Sequence, residues 1–441
     1  MSPRNSKKTE IFLANITSLS HEGRGVTTLH GKTTFLQGGL MDEEVEFHYI
    51  KFRNKFDEGQ VVRVLKASPH RVLPRCEHYG VCGGCSLQHM DDEMQLQVKQ
   101  AALLEQLEHF GHLKPESILS PLCGVTWGYR RKARLGVKFV NKKNKLLIGF
   151  RERNSSYLAD IHRCHVLHPD IGFKLDVLAE LIASLQGYQQ IPQIEIAVGD
   201  TGSALIFRHL QDLTADDLQK LHHFAVLHHY HLYLQPGGPE TIHRLYPDDR
   251  EEYYLSYQLP VHSIELLFHP TDFIQVNAEI NQKMVDLAID LLSPSRDEDI
   301  LDLFCGLGNF TLPLARYCKT VTGVEGDAMM VKRAYQNAVH NDLHNVDFYC
   351  GNLFAIDENQ VWLQKSYDKI LLDPPRTGAL ALLPYLNKLQ AKQIVYVSCN
   401  PATLARDAGI LVSQGYRLAK VGIMNMFPHT QHVESIALFE R

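Results

Sequence analysis

The rhythm of apolar and polar positions changes several times along the chain. Over residues 10–66 short alternating runs are broken by Gly, Asp or Asn: IFLANITSLS, GVTTLH, KTTFLQ, EEVEFHYIKF and GQVVRVLKAS. Alternation with period two is the signature of half-buried strands, and five such strands fit a small OB-like barrel. At residues 93–110 the period becomes helical, with Leu96, Leu103, Leu104, Leu107 and Phe110 on one side. Residues 127–167 alternate again, as a hairpin with Asn141 to Asn144 at its turn, and beyond Asp170 helix and strand are mixed. From Asp272 strand-like and helix-like stretches take turns. A helix over Ala278 to Leu292 leads to strands at 299–304 and 320–325, then to strands before Asp373-Pro374-Pro375 and before Cys399. Strands alternating with helices predict a doubly wound parallel sheet, whose ligands sit at the carboxyl ends of its strands.

The fold class expected is therefore α/β, in three units. Residues 1–67 form the OB-like β-barrel, 68–270 a central α+β domain, and 271–441 a Rossmann-like domain. A chain of 441 residues, 44% hydrophobic and 22% charged, suits such a globular protein. No apolar run has the length of a membrane span, and the opening MSPRNSKKTE lacks the apolar core of a signal peptide. The expected location is the cytoplasm, with no membrane partner.

A net charge of −5 argues against nucleic acid only until its distribution is considered. Residues 127–153 hold ten Lys/Arg and one acid, and residues 1–75 hold twelve Lys/Arg against eight acids. Local patches, not the average, bind phosphates. Arg130, Arg131, Lys132, Lys142 and Lys143 are the candidates.

Nine cysteines in a reducing compartment point to metal or catalysis where they cluster. Cys76, Cys82 and Cys85 lie within ten residues, with three glycines among them, and Cys164 is a fourth candidate. Four thiolates suit a [4Fe–4S] cluster or a structural zinc. The spacing is not CxxxCxxC, so radical cleavage of S-adenosylmethionine (SAM) is rejected. Five histidines between Leu221 and Tyr233 lack carboxylate partners nearby in sequence and read as surface.

In IVYVSCNPATLARD an apolar run delivers Cys399 to a turn closed by Asn400 and Pro401. A lone cysteine is usually a buried hydrophobe; the strand-end Asp373 before it and Glu434 after it change that reading. A thiolate added to C6 of uracil makes C5 nucleophilic toward a methyl donor. A base must then remove the C5 proton, and polar groups such as Gln275 and Asp373 steady the ring oxygen. As nucleophile, Cys399 is expected to have its pKa below about 8.5. Upstream, Cys305-Gly306-Leu307-Gly308-Asn309 is a glycine turn after a strand, and Glu325 nineteen residues on can take ribose hydroxyls. Asn352 follows the next strand, where adenine would lie. The third glycine of a dinucleotide fingerprint is replaced by Thr311, which favours SAM over NAD.

SCNPATLARD, LDPPRTGA, LDLFCGLGNF, DFIQVN and MFPHTQHVES closely resemble the motifs of the RNA 5-methyluridine methyltransferases. The likeness covers essentially the whole chain. It implies that the N-terminal barrel is a TRAM-type RNA-binding domain and that Cys76, Cys82, Cys85 and Cys164 hold a [4Fe–4S] cluster, as in the 23S rRNA branch. Carried over by motif, Gln275, Phe304, Asn309, Glu325, Asn352 and Asp373 contact SAM, Cys399 is the nucleophile, and Glu434 is the base. The implied partner is 23S rRNA rather than DNA, and the implied enzyme is a monomer. A tRNA uracil-5-methyltransferase of the same chemistry is the alternative. A C5-cytosine methyltransferase and an RNA-binding protein with a lapsed site fit the motifs less well.

Overall fold

The computed structural model describes residues 10–248 and 253–441. The polar stretch read at the extreme N-terminus lies, over residues 1–9, outside them.

Every alternating run of the first 66 residues is a strand: β1 (Phe12–Asn15), β2 (Ser18–Leu19), β3 (Gly25–Leu29), β4 (Lys32–Gln37), β5 (Glu44–Phe52) and β6 (Phe56–Lys66). The first run bends between β1 and β2. β1 pairs with β5 and β2 pairs with β3, so the order β1-β5-β6-β4-β3-β2 returns to the run on which it began. Leu36, Val45, Phe47 and Tyr49 point inward from alternating positions and fill this sheet.

The helix expected at 93–110 is α1 (Asp92–Gly111), capped by Asp91, whose carboxylate accepts from the Met94 N–H. Expected as part of the central unit, α1 instead packs on the C-terminal sheet. Ala102, Leu103 and Leu107 share a core with Leu404 and Leu411 of that region. The next strand, β7 (Ser117–Ile118), joins the same sheet.

Of residues 127–167 only the middle is a hairpin. β8 (Lys132–Val140) and β9 (Lys145–Gly149) pair across the expected turn, with Val140 opposite Lys145. They head a sheet in the order β13-β12-β11-β10-β8-β9, completed by β10 (Gln193–Val198), β11 (Ser203–Arg208), β12 (Tyr230–Gln235) and β13 (His243–Tyr246). One face packs on α2 (Leu175–Ser184) and α3 (Ala215–His228). The other contributes Ala197, Ala204 and Ile206 to a core shared with the C-terminal region. A small hairpin, β14 (Leu255–Leu259) and β15 (Ile264–Phe268), lies in that shared core.

The C-terminal sheet has the order β18-β17-β16-β19-β20-β22-β21-β7. β16 (Asp299–Leu303), β17 (Thr320–Glu325), β18 (Val346–Cys350), β19 (Lys369–Leu372) and β20 (Gln393–Ser398) run parallel. β22 (Glu434–Glu440) is antiparallel to β20 and to β21 (Arg417–Met424). The near-continuous apolar sequences of β16, β19 and β20 are those of strands buried on both faces. α4 (Ala278–Leu292) falls where the helix was read; α5 (Ala328–His340) and α6 (Pro401–Ser413) follow β17 and β20, α6 opening on Pro401 behind its cap Asn400. No helix of the described residues is long and apolar enough to cross a membrane.

Candidate active site

Strand register assembles the site. In the antiparallel pair of β20 and β22, Ser398 lies opposite Ser435. One step further, Cys399 leaves β20 where Glu434 enters β22, so two residues 35 positions apart become neighbours at one sheet edge. β19 ends beside β20, which sets Asp373 on the same edge. Here the strand order passes from parallel to antiparallel, and the groups are half-buried.

Hydrogen bonds hold the two turns. The Asn400 amide and the Thr403 hydroxyl both donate to the Arg376 carbonyl, at 3.1 and 3.3 Å. Asp407, fully buried, accepts from the Tyr396 hydroxyl at 2.7 Å and the Ala379 N–H at 2.8 Å. The loop after Asp373 is thereby pinned to the helix after Cys399.

Electrostatics at this edge are dominated by burial. The Glu434 carboxyl is pushed up to about 8, first by burial and then by Asp373. Asp373 is pushed up to about 7 by burial and by Asp302. The Cys399 thiol rises to about 11, through burial and then through Glu434 and Asp373. The expectation of a lowered thiol pKa is therefore corrected: the low-dielectric edge and its carboxylates oppose the thiolate, and Arg376 offsets them only in part. A proton acceptor beside the thiol is required.

The glycine turn lies on the same edge, two strands away. Gly306 and Gly308 have φ of +56° and +97°, a region costly for other residues. A Cβ on Gly306 would meet nothing closer than 3.7 Å, so the turn is open on that side. Phe304 shares the left-handed conformation, at φ +65°, and its ring stands 5.7 Å from that of Phe354. Glu325 ends β17 and accepts from the Gly306 N–H at 3.1 Å and the Gly326 N–H at 2.7 Å. Asn352 is exposed beyond β18, where its side chain accepts from the Phe354 N–H. Gln275 is half-buried in the loop before α4. The side chain of Asn309 is engaged within the protein: it exchanges two 2.9 Å bonds with Asn281 and accepts a third from Tyr257. Asp302, unremarked in the sequence, is fully buried under the turn. One carboxylate oxygen accepts from Thr311 and the other has no partner. An open glycine cradle, a carboxylate at the next strand end and an orphaned buried oxygen suit a ligand with a cationic amine and a ribose.

Cys76, Cys82, Cys85 and Cys164 line one cavity of ≈ 260 Å³, together with Tyr129, Arg130 and His432. Cys164 is held there by its N–H, which donates to the Gly172 carbonyl at 2.7 Å. Only glycine fits at 172, because a Cβ would stand 2.3 Å from the Cys164 carbonyl. Burial pushes the Cys85 thiol up to about 12 and the Cys164 thiol to about 11. Four converging thiols without a carboxylate suit a cationic inorganic centre. Among the described residues no group of three or more His, Cys, Asp or Glu is set to grip a single metal ion. This includes the histidine-rich stretch, where His222 pairs with Asp248.

Three of the five candidate phosphate-binding residues are otherwise employed. Arg131 pairs with Asp200, the Lys132 ammonium donates to the Pro270 and Asp272 carbonyls, and Arg130 donates to the Lys132 carbonyl. Lys142 and Lys143 remain exposed at the hairpin tip. Sequence reading also missed Lys99, although it interrupts the apolar stripe of α1 between Leu96 and Leu103.

The chain is similar to known proteins over nearly all of its length. The family model described as tRNA (Uracil-5-)-methyltransferase matches residues 203–441. A protein of Alcanivorax borkumensis named 23S rRNA (uracil(1939)-C(5))-methyltransferase RlmD is 54% identical over 428 residues, spanning 97% of this chain and 96% of the relative. One of the same name from Francisella tularensis subsp. novicida is 52% identical over 442 residues, 99% of this chain and 98% of the relative. The crystal structure of Pyrococcus abyssi tRNA (uracil-54, C5)-methyltransferase in complex with S-adenosyl-L-homocysteine shares the fold, with a TM-score of 0.72 over 97% of this chain and all of that one, at 21% identity. With more than half its length matched by the family model and nearly all of it by these relatives, the chain belongs to the uracil-5-methyltransferase family.

Proposed function

We propose that this protein methylates C5 of a uridine in 23S rRNA, with SAM as the methyl-donor substrate. The observation that carries the reading is the register of β20 and β22, which sets Cys399 beside Glu434. A thiol and a carboxyl side by side are the groups that addition at C6 and proton removal at C5 use once each has given up its proton. The Cys399 thiol gives up its proton to solvent and its sulfur adds to C6; the C5–C6 electron pair attacks the methyl of SAM, whose methyl–sulfur bond breaks to release S-adenosylhomocysteine. Glu434 then takes the C5 proton, the C–H pair restores the C5–C6 double bond, and the C6–S bond breaks to free Cys399. The target base leaves its stack to reach this edge.

Gln275, Phe304, Glu325, Asn352 and Asp373 are assigned to the donor, with Asn309 fixing the glycine turn through Asn281 and Tyr257. Cys76, Cys82, Cys85 and Cys164 are assigned to a [4Fe–4S] cluster. The four thiols line a cavity of ≈ 260 Å³, which leaves room for a cluster. The closing strand order of the N-terminal sheet supports a TRAM-like RNA-binding barrel over residues 1–67, followed by the cluster domain to residue 270 and the catalytic domain. A cytoplasmic monomer acting on rRNA, with no DNA partner, completes the reading. The named relatives at 52–54% identity favour rRNA over the tRNA alternative.

The test is methyl transfer from labelled SAM to 23S rRNA fragments and to tRNA, with mapping of 5-methyluridine in 23S rRNA from cells lacking the protein. Labelled rRNA and a lost modification are expected. Labelled tRNA alone would move the enzyme to the other substrate.

A further inference from the structure

Lys99 is a buried cation with no carboxylate beside it. It lies on α1, 2% exposed. Its ammonium donates to the Asn425 side-chain oxygen at 2.9 Å and to the Phe427 carbonyl at 2.9 Å. Among the described residues no carboxylate stands within ion-pair distance of it. An ammonium withdrawn from water without a counter-ion costs several kcal/mol. Leucine or methionine at this position of the apolar stripe would remove that cost, so packing does not account for a lysine.

Both acceptors belong to the segment that runs from the end of β21 to Glu434. The same segment is held from α1 a second time, where the His429 N–H donates to the Gln95 side chain at 2.8 Å. The charged and titratable groups facing Lys99 come from three directions. Asp92 stands on its own helix, Cys123 in the loop after β7, and Glu434, His429 and His432 in or next to the segment it grips. Glu434 in turn faces Asp373, Arg376, Cys399 and Lys99. Its cationic neighbours are thus Arg376, exposed on the opposite loop, and Lys99, which solvent does not screen.

We propose that Lys99 is a positioning residue for proton removal from C5: it fixes the backbone leading into Glu434 and supplies the unscreened positive field that lets this carboxylate accept the proton. The proposal rests on Glu434 being the base. With Lys99 neutralised, Glu434 would stay protonated to higher pH, and the adduct between Cys399 and the methylated base would break down more slowly. Burial lowers Lys99 while the facing Asp92 and Glu434 raise it, so the ammonium and the carboxylate each favour the other's charged form.

The experiment separates the two half-reactions on one RNA. Methyl transfer is read from methyl-labelled SAM, and proton removal from tritium released by RNA carrying [5-³H]uridine, each across a pH series. Lys99→Gln keeps a donor for Asn425 and Phe427 but drops the charge; Lys99→Arg keeps the charge; Lys99→Met removes both. In Lys99→Gln methyl transfer is expected near the wild-type rate, while tritium release lags and its acidic limb moves up by about one unit. Lys99→Arg should restore the wild-type limb, and Lys99→Met should show the same shift. Equal slowing of both half-reactions in Lys99→Gln, with the limb unmoved, would make Lys99 a structural tether and overturn the proposal. If Lys99→Met does not fold, Lys99→Gln and Lys99→Arg still decide. Glu434→Gln is run in parallel: undiminished tritium release there removes Glu434 as base, a failure recognisable whatever the lysine variants do.

Discussion

The protein buries thiols in two places, and their surroundings differ. The cavity of Cys76, Cys82, Cys85 and Cys164 places four thiols together with Tyr129, Arg130, His432 and no carboxylate. The proposed catalytic edge has one thiol, Cys399, with Glu434 and Asp373 beside it. Burial raises every one of these thiols, Cys85 to about 12 and Cys399 to about 11. A shifted pKa by itself therefore does not tell a ligand from a nucleophile. The neighbours differ: four thiols with no carboxyl among them suit a cationic centre, whereas a single thiol beside carboxyls has groups at hand that can move protons.

The comparison breaks most visibly at Cys399. Cys399→Ala is expected to lower methyl transfer at least about 10⁴-fold while the protein keeps iron and sulfide after anaerobic purification. Loss of iron in that variant would merge the two sites. Next comes Glu434→Gln, which retains the nucleophile. On a denaturing gel it should accumulate a covalent RNA adduct dependent on SAM and on Cys399, where wild type shows little. Methyl transfer at the wild-type rate without an adduct would assign the base elsewhere, with Asp373 the next candidate. A third variant works on the other cavity. Cys164→Ala should lose the cluster and lower the melting temperature by several degrees; one zinc per chain and no iron in wild type would replace the cluster with an ion.

The smallest effect is one of pH. The Glu434 carboxyl, ordinarily near 4.5, is held protonated to about 8 in the folded protein. Between those values the folded state keeps a proton that the unfolded chain has lost, so this group's contribution to stability falls as pH rises through the window. Glu434→Gln carries no such penalty. Its melting temperature should exceed that of wild type by a few degrees at pH 8 and by little at pH 5, by calorimetry. An equal difference at both pH values would mean that the carboxyl is better solvated than the structure implies.

Much of this was legible in the chain. Period-two runs before residue 66 became strands because Leu36, Val45 and Phe47 alternate with polar positions, and β17 and α4 begin and end where the pattern placed them. The cysteine set and the pair of Cys399 and Glu434 were also visible as motifs. Other features depend on long-range geometry. Arg131 and Lys132 read as free cations because their partners, Asp200 and the carbonyls of residues 270 and 272, are remote in sequence. The direction of the Cys399 shift needed the depth of the sheet edge, which no local spacing reports. α1 was recognised as a helix but not as a layer of the C-terminal sheet, since amphipathicity tells that a face is buried and not against what.

β7 carries a consequence for synthesis and dissection. It is made some three hundred residues before the strand it lines, where Ser117 and Ile118 pair with Lys420 and Val421. During translation the amphipathic face of α1 emerges long before α6 exists to cover it, and the ribosome-bound chain must carry that exposed apolar surface meanwhile. A fragment cut at residue 271 would lose both pieces. It would present β21 as a bare edge, open to pairing with another copy, and would uncover the side of α6 on which Leu107 rests. Leu107→Ala in the intact chain should cost about 2–5 kcal/mol. The shortest form of this region that keeps its sheet edge and core covered is therefore not a contiguous stretch: it begins near residue 91, skips, and resumes at β14, whose hairpin lies in the core shared with this sheet.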